Sequence, residues 1–184
     1  WSTEAVGEAG SDAHRVEIDP AAPAAELCDT IYDLNDDPAV DGILVQLPVP
    51  DQIDKREVIR AIDPAKDVDG FHPENVGRLV AGHARFKPCT PHGVQKLLEA
   101  YDIETEGADA VVVGRSDIVG KPLANLLVQK APLGNATTTV CHSRTDNLAA
   151  YTEAADTVIA AAVATESIDG PLPTDAAPRT GLRI

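Results

Sequence analysis

Residues 110–130 read AVVVGRSDIVGKPLANLLVQK, and this stretch decides the fold. Ala110 to Val113 is a short run of apolar, mostly β-branched residues, the pattern of a strand buried on both faces. A turn with glycine at each end follows, Gly114-Arg115-Ser116-Asp117-Ile118-Val119-Gly120, and Ile118 to Lys130 carries a helical pattern. Downstream the rhythm repeats, with a strand expected over Thr137 to Cys141, a helix over Asn147 to Ala155 and a strand over Thr157 to Val163. The order β-α-β-α-β predicts an α/β fold of Rossmann type, half of a doubly wound parallel sheet.

A glycine turn between strand and helix lets a ligand approach the backbone, and the helix start offers free N–H groups to phosphate. The spacing is not G-x-G-x-x-G, because Ser116 stands where the second glycine would be. Gly114, Arg115, Ser116 and Gly120 are the candidate cofactor residues of this turn. Arg115 can pair with a ribose 2′-phosphate, and Ser143 with Arg144 adds a hydroxyl and a second cation beyond the next strand. An NAD-binding site carries an acid at that strand end; this chain has none there, so NADP is the expected cofactor.

Upstream the pattern is more varied. His14 to Ile18 alternates like a short strand, and Ala24 to Asn35 places Leu27, Ile31 and Leu34 at helical spacing. Gly42 to Leu47 reads as a buried, parallel-type strand ended by Pro48 and Pro50, with Gln46 as a buried amide that needs partners. Lys55 to Ile62 fits a short helix. Thr90 and Pro91 mark another helix start, as N-cap and first helical residue, ahead of a face of Val94, Leu97, Leu98 and Tyr101. KDVDGFHPENVGRL (66–79) and KPCTPHG (87–93) read as polar loops flanking Gln46. Asp67 and Asp69 lack further ligands at metal spacing, so no metal site is expected. His72, His83 and His92 are scattered on loops and read as surface or supporting residues. The expected division is 1–103 for a first domain and 104–163 for the nucleotide-binding one. An irregular tail with three prolines is expected over 164–184.

Composition narrows the function. The chain has 184 residues, 43% hydrophobic, with 30 acids against 15 bases and a formal charge of −15. A packed core is within reach, and nucleic acid or an anionic membrane is excluded as the main partner by the charge. The acids are spread along the chain, as on a surface suited to a halophilic cytoplasm, where salt screens carboxylate repulsion. Cys28, Cys89 and Cys141 are far apart and odd in number, which suggests a reducing compartment and a cytoplasmic protein. There is no Met, and Trp1 stands first, so the sequence reads as an internal piece of a longer one.

Five segments together carry a resemblance: DGILVQLPVP, KDVDGFHPENVGRL, KPCTPHGV, VVVGRSDIVGKPLANLL and TTTVCHSRT, in order over about 39–163. In that order and spacing they resemble the bifunctional methylenetetrahydrofolate dehydrogenase/cyclohydrolase family. The resemblance implies a partial substrate domain and an NADP-binding Rossmann domain, with tetrahydrofolate derivatives in the cleft between them and a homodimer as the common assembly. It implies that Gln46 orients a catalytic Lys and that Asp69 holds the pterin ring through its N–H donors. Pro88, Thr90 and Pro91 are then expected at the substrate, and Gly114, Arg115, Ser116 and Ser143 at the NADP phosphate. The family's Lys belongs to a Y-x-x-x-K helix upstream of the matched region. Here the first Lys is Lys55, already past Gln46. Val163-Ala164-Thr165 lacks the family's glycine, and no P-G-G-V-G-P segment follows. Both departures imply that this chain alone lacks cyclohydrolase activity and has weak or no dehydrogenase activity. The alternative is a non-catalytic NADP-binding remnant or interaction module of the same fold.

Overall fold

Helices come first along the chain: Ala24–Asp36 (α1), Lys55–Ala61 (α2), Pro73–Val80 (α3) and Cys89–Ala100 (α4). Asp109–Val113 (β1), Gly120–Val128 (α5), Thr137–Cys141 (β2), Leu148–Ala154 (α6), Thr157–Ala160 (β3) and Thr180–Arg183 (β4) follow. This computed structural model describes residues 7, 10–161 and the backbone of 180–183.

The four strands form one parallel sheet in the order β2-β1-β3-β4. The chain leaves β1 for β2 on one side, then passes back over β1 to reach β3 on the other. Right-handed crossovers in opposite directions must lie on opposite faces, so α5 and α6 sandwich the sheet. Burial agrees. Ala110, Val112 and Ile159 pack with Val94 and Leu98 of α4 and with Leu123 and Leu127 of α5. Val111, Val113 and Val158 turn to the other face, toward Cys141, Ala155 and Leu148. The continuous apolar run of β1 thus has its expected cause, a strand covered on both faces.

The first half has its own core of Ile31, Ile43, Ile53, Val58, Ala61 and Ile62. Polar groups set its geometry. The Lys66 ammonium donates to the carbonyls of Leu34 (2.9 Å) and Asn35 (2.6 Å) in the last turn of α1 and to that of its C-cap Asp37 (2.7 Å). Asn35 ties α1 to the end of α2, donating to the Ala61 carbonyl at 2.7 Å and accepting from the Asp63 amide at 2.9 Å.

Several expectations need correction. His14 to Ile18 forms no strand; its residues are largely exposed, and no neighbouring strand among the described residues supplies a ladder. Gly42 to Leu47 is not a buried strand but an extended segment with one parallel bridge, Ile43 to Asp67. Ile43 is buried whereas Leu44 is 48% exposed, so only one face of the segment is packed. The loop expected over 66–79 contains α3, started by Pro73 at the first helical position and by the His72 side chain, which accepts from the Glu74 amide at 3.1 Å. Helix α4 begins at Cys89, with Pro88 and not Thr90 at its N-cap. Pro91, which has no N–H to leave unpaired, is buried inside the first turn. Val94 and Leu98 are buried as expected, but Leu97 and Tyr101 are exposed. Of the tail, 162–179 and 184 lie outside the described residues; Thr180–Arg183 is not irregular but pairs with β3.

Candidate functional site

Ligand crevices in such sheets lie beyond the C-terminal strand ends where the winding changes direction, here at β1 and β3. Gly114 stands at that point. Its φ is +130°, and an added Cβ would run into the Ala161 carbonyl beyond β3. Gly120 packs equally closely on the Gly114 carbonyl, so both glycines are required by the turn's own packing.

Ser116 has a role that its spacing did not suggest. Its Oγ accepts from the amides of Val119 (3.1 Å) and Gly120 (3.3 Å), and its carbonyl accepts from the Lys121 amide at 3.0 Å. Pro122 has no N–H. The donors expected to be free at the start of the helix are therefore already used, which also explains why α5 begins at Gly120 and not at Ile118. The amides of Arg115, Ser116, Asp117 and Ile118 carry no hydrogen bond among the described residues. These loop amides, not those of the helix, are the available donors.

Arg115 and the Ser143-Arg144 pair lie on exposed loops just past β1 and β2, which end in register at Val113 and Cys141. The Gly114 amide donates to the Cys141 carbonyl at 2.8 Å, joining the two loops. Neither arginine has an ion-pair partner among the described residues. Free cations, a hydroxyl and unused amides at adjacent strand ends fit the phosphates of a dinucleotide.

The first half brings Asp69 toward Pro88. The turn Asp67-Val68-Asp69-Gly70 closes through the Gly70 amide on the Asp67 carbonyl (3.2 Å), and a Cβ on Gly70 would lie 3.4 Å from Pro88 Cδ. Pro88 is buried there, while Thr90 is exposed and Pro91 is buried in the helix. The two acids of the turn differ. Asp67 is buried and satisfied, accepting from the His72 amide and from Asn75 Nδ2, each at 2.8 Å. Asp69 is half-buried and has no hydrogen-bond partner among the described residues. Burial, with the Asp67 carboxylate nearby, pushes the Asp69 carboxyl above the usual carboxylate range. A partly desolvated acceptor without a protein donor has capacity to accept N–H groups from a ligand.

Gln46 leaves the Ile43–Asp67 bridge in the same direction as Asp69, on a parallel-running segment. It is exposed, not buried, and donates only to the Leu47 carbonyl at 2.9 Å. No hydrogen bond joins it to Asp69. Lys55, Arg56, Arg60 and Lys121 line a cavity between α2, α3 and α5, and nothing in the sequence singles them out.

A parallel, doubly wound sheet with a phosphate-suited turn at its switch point defines a dinucleotide-binding α/β protein. Residues 1–69 match the tetrahydrofolate dehydrogenase/cyclohydrolase catalytic domain, and residues 88–172 match the NAD(P)-binding domain of the same family. The chain belongs to the tetrahydrofolate dehydrogenase/cyclohydrolase family. Bifunctional protein FolD 1 of Haloarcula marismortui is 70% identical over 163 residues, covering 89% of this chain and 55% of that protein. The Haloquadratum walsbyi bifunctional protein FolD is 69% identical over 163 residues, covering 89% of this chain and 52% of its own. The FolD crystal structure from Campylobacter jejuni superposes with a TM-score of 0.82 at 47% identity, covering 87% of this chain and 56% of that one. The Trypanosoma brucei enzyme, crystallised with NADP and an inhibitor, gives 0.79 at 36% identity, with coverages of 86% and 54%. The chain thus spans about half the length of the relatives it matches.

Proposed function

We propose that this chain carries the central part of a bifunctional enzyme of one-carbon folate metabolism. In this reading the parent oxidises methylenetetrahydrofolate to methenyltetrahydrofolate with NADP and hydrolyses the product to formyltetrahydrofolate. Residues 1–103 supply part of the substrate domain and 104–163 the nucleotide domain. The observation that carries the reading is the contrast between Asp67, satisfied by the protein, and Asp69, half-buried without a donor beside Pro88. Asp69 would accept the pterin N–H groups, offsetting its own desolvation. The loop of Pro88, Thr90 and Pro91 would border the substrate. Gln46, held only by its neighbour's carbonyl, has an amide available to orient a Lys supplied from outside this sequence.

Gly114, Arg115, Ser116, Gly120, Ser143 and Arg144 would hold NADP. Gly114 and Gly120 let the backbone close up, and Ser116 fixes the loop through Val119 and Gly120. Arg115 and Arg144 would provide charge for the 2′-phosphate. When bound, NADP⁺ supplies the acceptor for the hydride that leaves the methylene carbon. Positioning that carbon is the task of the Asp69 and Pro88 segments. Water addition to the methenyl cation needs an acid–base group, and no Y-x-x-x-K pattern occurs in these residues.

The chain by itself is therefore expected to bind NADP, to show weak or no dehydrogenase activity and to lack cyclohydrolase activity. Methenyltetrahydrofolate formation from methylenetetrahydrofolate and NADP⁺, followed by absorbance, tests this; turnover near that of a complete enzyme would overturn it. NADP binding with no folate turnover even after the chain is restored to the length of its relatives would favour the alternative, a non-catalytic NADP-binding module. Replacing Gln46 in a full-length relative tests its role, and unchanged cyclohydrolase rates would discredit it.

A further inference from the structure

A cavity of about 660 Å³ opens between α2, α3 and α5. Small-molecule sites span roughly 300–1,000 Å³, so the size suits a compact organic ligand. Its floor is apolar, with Ile59, Phe71, Val76, Leu79 and Pro122 among the lining residues. Its charged lining is mostly cationic: Lys55, Arg56 and Arg60 from α2, and Lys121 from α5. Four of the fifteen Lys and Arg residues thus meet at one cavity in a chain of net charge −15.

Two acids also line it, and both are engaged. Asp54 accepts from the Arg56 amide at 2.8 Å as the N-cap of α2, and Asp117 pairs with Lys121. That hydrogen bond holds the Asp117 carboxyl below its usual range, with Lys55 and Arg56 adding to the effect from α2. The side chains of Lys55, Arg56 and Arg60 have no hydrogen bond or ion pair among the described residues. Arg56 and Arg60 are four residues apart on one helix, a like-charge spacing that weakens a helix unless an anion lies between them.

We propose that this cavity binds a small organic anion, with a flat apolar body against the Phe71 and Val76 wall and a phosphate or carboxylate facing Lys55, Arg56 and Arg60. Gln46, Asp69, Arg115, Ser116 and Ser143 do not line it, but Pro88, Gly70, Asp117 and Ile118 do, so the cavity adjoins the proposed folate and NADP site while its cations belong to α2 and α5. Gly77 offers a way to close it. A Cβ there meets nothing within 4 Å, so a larger side chain would enter open space.

The test titrates 1-naphthyl phosphate into the full chain and follows methyl and amide NMR shifts. Saturable shifts centred on Ile59, Val76, Leu79 and Ile118 are expected. Inorganic phosphate and 1-naphthol, each carrying half of the ligand's chemistry, should bind at least about tenfold more weakly. Comparison with 1-naphthoate tells whether phosphate or carboxylate is preferred. The triple variant K55Q/R56Q/R60Q should lose about tenfold or more in affinity, and Gly77→Phe should abolish binding with no fall in Tm. Shifts centred on Gly114–Ser116 and Ser143, unchanged affinity in either variant, or naphthol binding as tightly as its phosphate would each overturn the proposal.

Discussion

Replacing Gly114 with alanine tests the central turn, and the structure allows the cost to be worked out. At φ +130° an alanine meets its own backbone, a penalty of about 1–2 kcal/mol for a left-handed L-residue. The new Cβ must also displace the Ala161 carbonyl. That strand end is held by two backbone hydrogen bonds, Ala161 N–H to the Val113 carbonyl and Gly114 N–H to the Cys141 carbonyl, each 2.8 Å. Weakening both adds about 1–2 kcal/mol at the usual net value per bond. The sum is about 3 kcal/mol, or roughly 6–12 °C in Tm for a domain of this size. Gly107→Ala is the control: its φ is +74°, but nothing lies within 4 Å of the added carbon. It should incur only the backbone term, about 1–2 kcal/mol. Urea unfolding of both variants, followed by circular dichroism, measures the difference directly. If Gly114→Ala were no more destabilising than Gly107→Ala, the close approach of β1 to β3 would be refuted as the reason for the glycine.

Other outcomes follow from the same geometry. Ser116→Ala should cost about 1 kcal/mol by removing the cap on two amides, with Thr restoring most of it, as read by chemical denaturation. Leu127→Ala, at a fully buried site between α5 and β1, should cost about 2–5 kcal/mol by the same assay, and a loss below 1 would argue against that packing. For Asp69 the folded-state pKa is raised, so the folded form holds its proton more tightly than the unfolded one. Its contribution to stability is therefore greatest at low pH and falls as pH rises from the ordinary carboxylate range through the raised value. Asp69→Asn should accordingly stabilise the chain at neutral pH and flatten that part of the stability–pH curve. Among the thiols, exposed Cys89 should react with a disulfide reagent in the folded protein, whereas buried Cys141, whose pKa burial pushes up, should wait for unfolding.

The second half of the fold was legible because its signals are local. A β-branched run bounded by glycine and a helix-period pattern identify β1 and α5 whatever surrounds them, and the parallel sheet has the expected element order. The first half misled where a pattern needed a distant partner. His14 to Ile18 has the alternation of a strand, but a ladder requires a neighbour that alternation cannot supply. The apolar flanks of Gln46 predict a buried amide; only one face of that segment is packed, and the amide lies on the other. The α3 segment reads as a loop because His72, Gly77 and the charged pair Glu74 and Arg78 are polar or helix-weakening residues. Its start signal was nevertheless present in Pro73.

By itself the sequence determined the α/β class and the glycine turn after β1, since each depends on neighbours along the chain. Tertiary structure alone decided how identical side chains divide their work. Asp67 and Asp69 are two residues apart, yet one is buried among donors and the other is left without any. Ser116 stands in the turn as a candidate phosphate contact, and the fold also gives its Oγ the amides of Val119 and Gly120 to cap. Lys55, Arg56 and Arg60 meet Lys121 only because α2 and α5 pack around one cavity. Burial, hydrogen-bond supply and local field are properties of what surrounds a group in space, and most of those surroundings come from distant parts of the chain.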